Sequence, residues 1–157
     1  MFVDAPETAP GGSSKREDPP SALSDRLGYL LGQAHLAHRR VAERRLGSLG
    51  LRGKEFGALS VLADEGPLSQ QRLGERLGID RTTMVAVVDA LERKGFAERR
   101  RNSEDRRAYS LHATGTGRRV LDRATEAAQR AEAEFLAQLP AREARQLKEI
   151  LRKLIAP

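Results

Sequence analysis

Residues 68–84 read Leu68-Ser69-Gln70-Gln71-Arg72-Leu73-Gly74-Glu75-Arg76-Leu77-Gly78-Ile79-Asp80-Arg81-Thr82-Thr83-Met84, and this stretch decides the fold. Ser69 stands where a hydroxyl can accept a free backbone N–H of a first helical turn. Leu68 before it and Leu73 after it are spaced as a hydrophobic staple, and Leu73 with Leu77 makes the inward pair. Gly78 takes a sharp turn that calls for positive φ. Ile79 plugs the angle, and Asp80 caps a second helix whose inward face is Met84, Val87, Val88 and Leu91. Two helices joined by a short glycine-bearing turn make a helix-turn-helix. An ordinary helical hairpin with a solvated polar face reads the same way from these residues alone.

The outward face of the second helix holds Arg81, Thr82, Thr83, Val85, Ala86 and Asp89. In a major groove its first turn would meet base edges. Arg81 can bond guanine bidentately or pair with phosphate. The threonines can bond a base edge or pack on a thymine methyl, whereas Val85 and Ala86 can make only apolar contacts.

Beyond Gly95, two short extended arms flank a polar tip, as in a β-hairpin with a long loop. Arg99, Arg100, Arg101, Arg106 and Arg107 cluster there. Core packing does not account for basic residues at a loop tip, and a narrow minor groove attracts an inserted arginine. Asp105 would repel phosphate, so it reads as the orienting partner of a neighbouring guanidinium. A solvated charged loop is the alternative.

Outside this centre the chain is helical. Leu23, Leu27, Leu30, Leu31, Ala34, Val41 and Leu46 step by three and four along one face, with Ser21 or Ser24 as cap and Gly47 and Gly50 at the end. A shorter helix follows over 53–64, and Gly66-Pro67 stops it. Val120, Ala124, Ala127, Ala128, Ala131 and Phe135 make a stripe of mostly small side chains. Pro140 breaks it, and Ala144, Leu147, Ile150, Leu151 and Leu154 make the last stripe. Met1–Pro20, rich in Pro, Gly, Ser and acidic residues, reads as a disordered tail.

The expected fold is therefore mainly α with a small β-wing. Residues 1–20 are a tail and 21–157 a single domain, with a winged helix-turn-helix head over 51–113 and dimerisation helices over 21–50 and 114–157. Three long helices with apolar faces are too many to bury on one small head. A two-fold homodimer supplies the missing surface and sets two heads about one DNA turn apart.

The formal net charge of +6 makes a polyanionic partner, double-stranded DNA, plausible. With no cysteine in the chain, thiol redox sensing, thiolate zinc sites and disulfides are excluded. No apolar run approaches the roughly 18–20 residues that span a bilayer, and no signal peptide opens the chain, so no membrane partner and a cytoplasmic location are expected. No nucleophile–base pair, phosphate loop or framed carboxylate pair is visible, so neither enzymatic activity nor a cofactor is expected. His35 and His38 share a helix face at i, i+3. They can ligate a metal, line an effector pocket or be structural; no partnering carboxylate is recognisable by spacing, so no metal site is assigned. Arg118 and Arg119 suit either a phosphate contact or a solvated face, and His112 a phosphate or solvent contact.

The chain resembles the MarR (multiple antibiotic resistance regulator) family. Glu104-Asp105-Arg106-Arg107 followed by Leu111, Thr114 and Gly117 is similar to that family's wing signature. Gly50-Leu51, Leu77-Gly78-Ile79 and Leu91-Glu92-Arg93-Lys94-Gly95-Phe96 extend the likeness, which covers 23–154. The resemblance implies a triangular homodimer whose winged heads reach successive major grooves. It also implies a pocket between head and dimerisation helices for a small anionic or phenolic effector, with His35 and His38 as candidates to line it. By position, Arg107 resembles the wing arginine that enters the minor groove and Asp105 its orienting partner; Arg81, Thr82, Thr83, Val85 and Ala86 match base-reading positions. Arg99, Arg101 and Arg106 complete the expected DNA-binding set. Three departures stand out. Val85 and Ala86 replace polar or basic readers, so readout here is less hydrogen-bonded. Ala113 replaces a leucine. Gly74 replaces an alanine, which costs a helix about 0.5–1 kcal/mol unless close packing needs it.

The expected function is a ligand-responsive, sequence-specific transcriptional regulator, a repressor on a pseudo-palindromic operator. An effector-independent DNA-organising protein and a helical interaction adaptor are the alternatives.

Overall fold

The computed structural model describes residues 20–101 and 109–156. The chain divides into two compact units, Met1–Gln33 and Ala34–Pro157. In the first, residues 21–25 form hydrogen-bonded turns and α1 (Leu27–Gly47) begins. The long helix thus opens later than the apolar stripe predicts. The Ser24 hydroxyl donates to the Ser21 carbonyl, a local bond that competes with helix, and Leu23 lies in the turn.

The second unit holds the rest of α1, then α2 (Gly53–Glu65), α3 (Gln70–Leu77), α4 (Arg81–Arg93), β1 (Ala97–Arg101), β2 (Tyr109–Ala113), α5 (Gly115–Leu136) and α6 (Ala141–Ile155). The strands pair antiparallel with Arg99 opposite Leu111 and Arg101 opposite Tyr109. Leu68, just ahead of α3, bridges to Leu111 through two backbone bonds, so the hairpin is stitched to the entry of the helix-turn-helix.

Both predicted caps form. The Ser69 hydroxyl accepts from the Arg72 amide at 3.2 Å, and the Asp80 carboxylate from the Thr83 amide at 2.9 Å. Gly78 between them has φ +61°, the left-handed region glycine enters without strain. The helix-interior glycine also has its reason: a Cβ on Gly74 would stand 3.0 Å from the Ile79 carbonyl, so close packing at the turn holds the place.

The core lies in the head. Leu59, Leu62, Leu73, Met84, Val88, Leu91 and Leu111 are fully buried, with Leu46 from α1 and Ala124 from α5 added to the cluster. Two ion pairs tie helices across it. The nearly buried Glu55 carboxylate accepts from the Arg52 amide at 2.9 Å and from Lys94 Nζ at 2.5 Å, joining the start of α2 to the end of α4. Arg76 pairs with Glu65. On α1, Arg44 and Arg45 both donate to Glu134 of α5. By contrast α6 buries no residue, and Ile150, Leu154 and Ile155 on it are exposed. Among the described residues no helix is long and apolar enough to cross a membrane.

Candidate nucleic-acid interface

The face of α4 turned to solvent is the one the sequence points to. Arg81, Thr82, Val85 and Ala86 are exposed and Thr83 is half-buried, while Met84, Val87, Val88 and Leu91 fill the core. A β-branched apolar side chain 38% exposed, as Val85 is, gains nothing from water. Such a side chain can make only apolar contacts.

The start of α4 is electrostatically set. Asp80 is held below its ordinary carboxylate value by the Thr83 hydroxyl first, then by the Thr83 amide, with the Lys54 ammonium adding attraction. The charge of Lys54, at the N-terminus of α2, thus adds to the field at the start of α4. Glu75 on α3 is also held low, by Gln71 first and then Arg72.

Among the described residues the hairpin departs from expectation at Arg99. Arg99 does not stand free for DNA. Its guanidinium donates to Asp89 Oδ1 at 2.9 Å, to Gln70 Oε1 at 3.1 Å and to Glu92, and its backbone amide donates to Glu92 Oε1 at 3.0 Å. The reason is strand parity. Ala97 is buried, so Arg99, two residues on, faces the same side and meets α4. Asp89 and Glu92, at i, i+3 on one helix face, are the signal by which the cradle could have been found. Arg100 turns to the opposite side and pairs with Glu98. Arg101 is exposed where β1 ends. Asp105, Arg106 and Arg107 lie outside the described residues.

Of the remaining candidates, His35 is exposed, and His38 is half-buried with its ring edge-on to Phe135 at 5.4 Å. Among the described residues no group of three His, Cys, Asp or Glu side chains can hold a metal ion. Arg118 donates to the Ala63 carbonyl at the end of α2 and Arg119 to the Thr116 hydroxyl, which gives both a local task at the start of α5. His112 shares a 3.0 Å hydrogen bond with the Ser110 hydroxyl.

Comparison with known proteins bears on this geometry. The model of the MarR family matches residues 49–108. A candidate transcriptional regulatory protein for the hcr operon of Thauera aromatica is 32% identical over 146 residues, covering 92% of this chain and 88% of that protein. An HTH-type transcriptional repressor of Mycobacterium tuberculosis is 31% identical over 128 residues, covering 82% of this chain and 92% of that one. Among solved structures, CouR of Rhodococcus jostii bound to p-coumaroyl-CoA superposes with a TM-score of 0.73 at 27% identity, over 88% of this chain and 97% of CouR.

Proposed function

Because the chain belongs to the MarR family of transcriptional regulators, which are not enzymes, we propose that it is a ligand-responsive repressor that binds a pseudo-palindromic operator as a homodimer. The observation that carries this reading is the exposed run Arg81, Thr82, Val85 and Ala86 on a capped helix seated over a rigid core. Such a face is shaped to present one cation, hydroxyls and methyl-sized apolar groups to a major groove. Thr83 joins them from the half-buried edge.

In this reading residues 51–113 are the DNA-binding head, 21–50 and 114–157 supply dimerisation helices, and 1–20 are a tail. The hairpin grips the neighbouring groove through Arg101, Arg106 and Arg107, with Asp105 orienting Arg107. Arg99 is left out of the set because its donors are already engaged. The exposed apolar residues of α6 support a second copy as partner.

The effector is assigned to a small anionic or phenolic class. CouR, bound to p-coumaroyl-CoA, supports a ligand of this kind. His35 and His38 are the candidate contacts, since an imidazole can donate to a carboxylate or phenolate.

The test is binding, by fluorescence anisotropy, of a duplex enriched by the protein from a randomised library and of a scrambled duplex. The enriched duplex should bind more tightly, and affinity for both should fall steeply with salt as counterions are released. Equal affinity for the two duplexes would indicate a DNA-organising protein, and no salt dependence an interaction adaptor; either refutes the proposal. Addition of aromatic acids and their CoA thioesters should release the enriched duplex.

A further inference from the structure

We infer that Arg99 is a positioning residue: it sets the hairpin against α4 and thereby governs preference for operator over random duplex without touching DNA. The inference rests on the reading of α4 and the hairpin as the two elements that grip the duplex. Only the turn over residues 94–96 separates α4 from β1. Such a short turn leaves the direction of the strand to whatever clamps it further on.

Arg99 is that clamp. One guanidinium reaches Asp89 and Glu92 on α4 and Gln70 on α3, and Glu92 returns to hold the Arg99 backbone amide. The fork of donors fixes direction as well as distance. Across the strands its partner Leu111 is buried and is bonded through its backbone to Leu68, so four segments converge on this junction. Electrostatics argue against a direct DNA role. One cation faces two carboxylates here, and Asp89 and Glu92 carry a net negative charge that phosphate would avoid. Base readers on α4 and basic residues of the hairpin must be in register with one duplex together. A rotation at Arg99 turns the strand it belongs to, and with it Arg101 at the end of β1.

Three variants test it: Arg99→Ala, Arg99→Lys, and the double variant Asp89→Asn with Glu92→Gln, which leaves Arg99 in place. The readouts are affinity for the enriched and scrambled duplexes at several salt concentrations, hydroxyl-radical footprints, and thermal midpoint. In all three the enriched-over-scrambled ratio should fall about tenfold or more, the scale of one lost base-pair contact. Flank protection by the hairpin should fade while protection under α4 persists, and the salt slope should stay at the wild-type value. Arg99→Lys should fail to rescue, because a compact ammonium does not reproduce the fork. The double variant guards against Arg99→Ala simply unfolding, since both its replacements keep their size while removing the charge and, at Glu92, one of the two acceptors that Arg99 uses.

The inference is overturned if Arg99→Ala weakens both duplexes equally and lowers the salt slope by about 1, the mark of a lost phosphate contact. It is equally overturned if the double variant keeps the wild-type ratio. A wild-type protein without preference sinks the underlying reading and this inference with it; a wild type with preference beside variants of unchanged ratio sinks this inference alone.

Discussion

The carbonyl of Phe96 occupies the space in which a side chain on Gly117 would begin: a Cβ there would stand 2.0 Å from the oxygen. The same carbonyl accepts the Thr114 amide at 3.0 Å, while the Thr114 hydroxyl donates to the Gly95 carbonyl at 2.6 Å and accepts from the Gly117 amide at 2.9 Å. The first turn of α5 is thus pressed against the turn that ends α4. Gly117→Ala should cost about 3 kcal/mol or more, since backbone must move on both sides. Gly115→Ala, whose Cβ would meet only the end of the Arg119 side chain at 3.7 Å, is the control. It should be neutral or stabilising by up to about 1 kcal/mol. Urea midpoints of the two variants check the contrast, and similar losses would mean the close approach is not as described.

The Glu55–Lys94 pair makes the second prediction. Glu55 is 4% exposed and satisfies two donors, the Arg52 amide and the Lys94 ammonium. Glu55→Ala should cost about 2–4 kcal/mol, because both donors lose their acceptor and one is a partly desolvated cation. Adding Lys94→Met should then cost little more. The double-mutant cycle should return a coupling of about 1 kcal/mol or greater, and a coupling near zero would leave the pair without energetic weight.

The two depressed carboxylates give a pH dependence of definite sign. Asp80 and Glu75 lie below their ordinary values of 3.8 and 4.5 in the folded protein. Each therefore contributes stability that is fully present above its unfolded value and is lost as pH falls through its lower folded value. Stability should be flat on the neutral side of the ordinary carboxylate range and decline below it. Asp80→Asn keeps a capping oxygen but removes the titration, so its unfolding free energy should fall less steeply in acid than that of the wild type. A parallel acid limb in the two proteins would show that the Asp80 cap is not a linked proton site.

Caps and stops depend on nearest neighbours, so Ser69, Gly78 and Asp80 mark two helices and the turn between them from the order of residues alone. The buried face of α4 follows from its period. The hairpin is legible as a hairpin, but the direction in which each arginine turns is not. That depends on strand parity, and parity requires knowing that Ala97 and Leu111 face inward. Basic character alone therefore groups Arg99 with Arg100, although Arg99 turns to α4 and Arg100 to the opposite side, where it pairs with Glu98. The start of α1 is misleading for another reason: Leu23 continues the apolar period, but the Ser21–Ser24 bond closes a turn there instead of a helix. Gln70 carries no local signal, because it meets Arg99 only after the head has packed.

On α4, Arg81 and Val85 should separate affinity from preference. Both are exposed, but only Arg81 is charged. Arg81→Ala should weaken the enriched duplex by about 1–3 kcal/mol and, if it bonds a guanine edge, relax choice at one position. Val85→Ser should change preference at one base pair, away from thymine, with little change in salt slope. Binding of a set of single-base variants of the enriched duplex measures both. Equal weakening on every sequence would place these residues on the backbone instead of in the groove. Arg107→Ala should cost a similar amount while leaving the oligomeric state unchanged.

The last prediction concerns α6. Its apolar residues recur at Leu147, Ile150, Leu151 and Leu154, the spacing of a helix face made to be covered. Yet none of them is buried, and Leu154 and Ile155 are 65% and 79% exposed. Leaving such a stripe in water forgoes about 1.5–3 kcal/mol for each large side chain that burial would have stabilised. A second copy, related by a two-fold axis, presents the same stripe in return. The wild type should therefore sediment as a dimer, and its thermal midpoint should rise with protein concentration, since association stabilises the folded state by mass action. Leu154→Asp with Ile150→Asp places two carboxylates in that surface and should halve the sedimenting mass. The core around Leu59, Leu73 and Leu91 contains no α6 residue, so the helical circular dichroism of the head should survive. A two-headed protein reduced to one head should then lose most of its affinity for a palindromic duplex but keep that for a half-site. A wild type that sediments as a monomer at every concentration would mean the stripe is covered by some other partner, and the two-headed reading of DNA would fall with it.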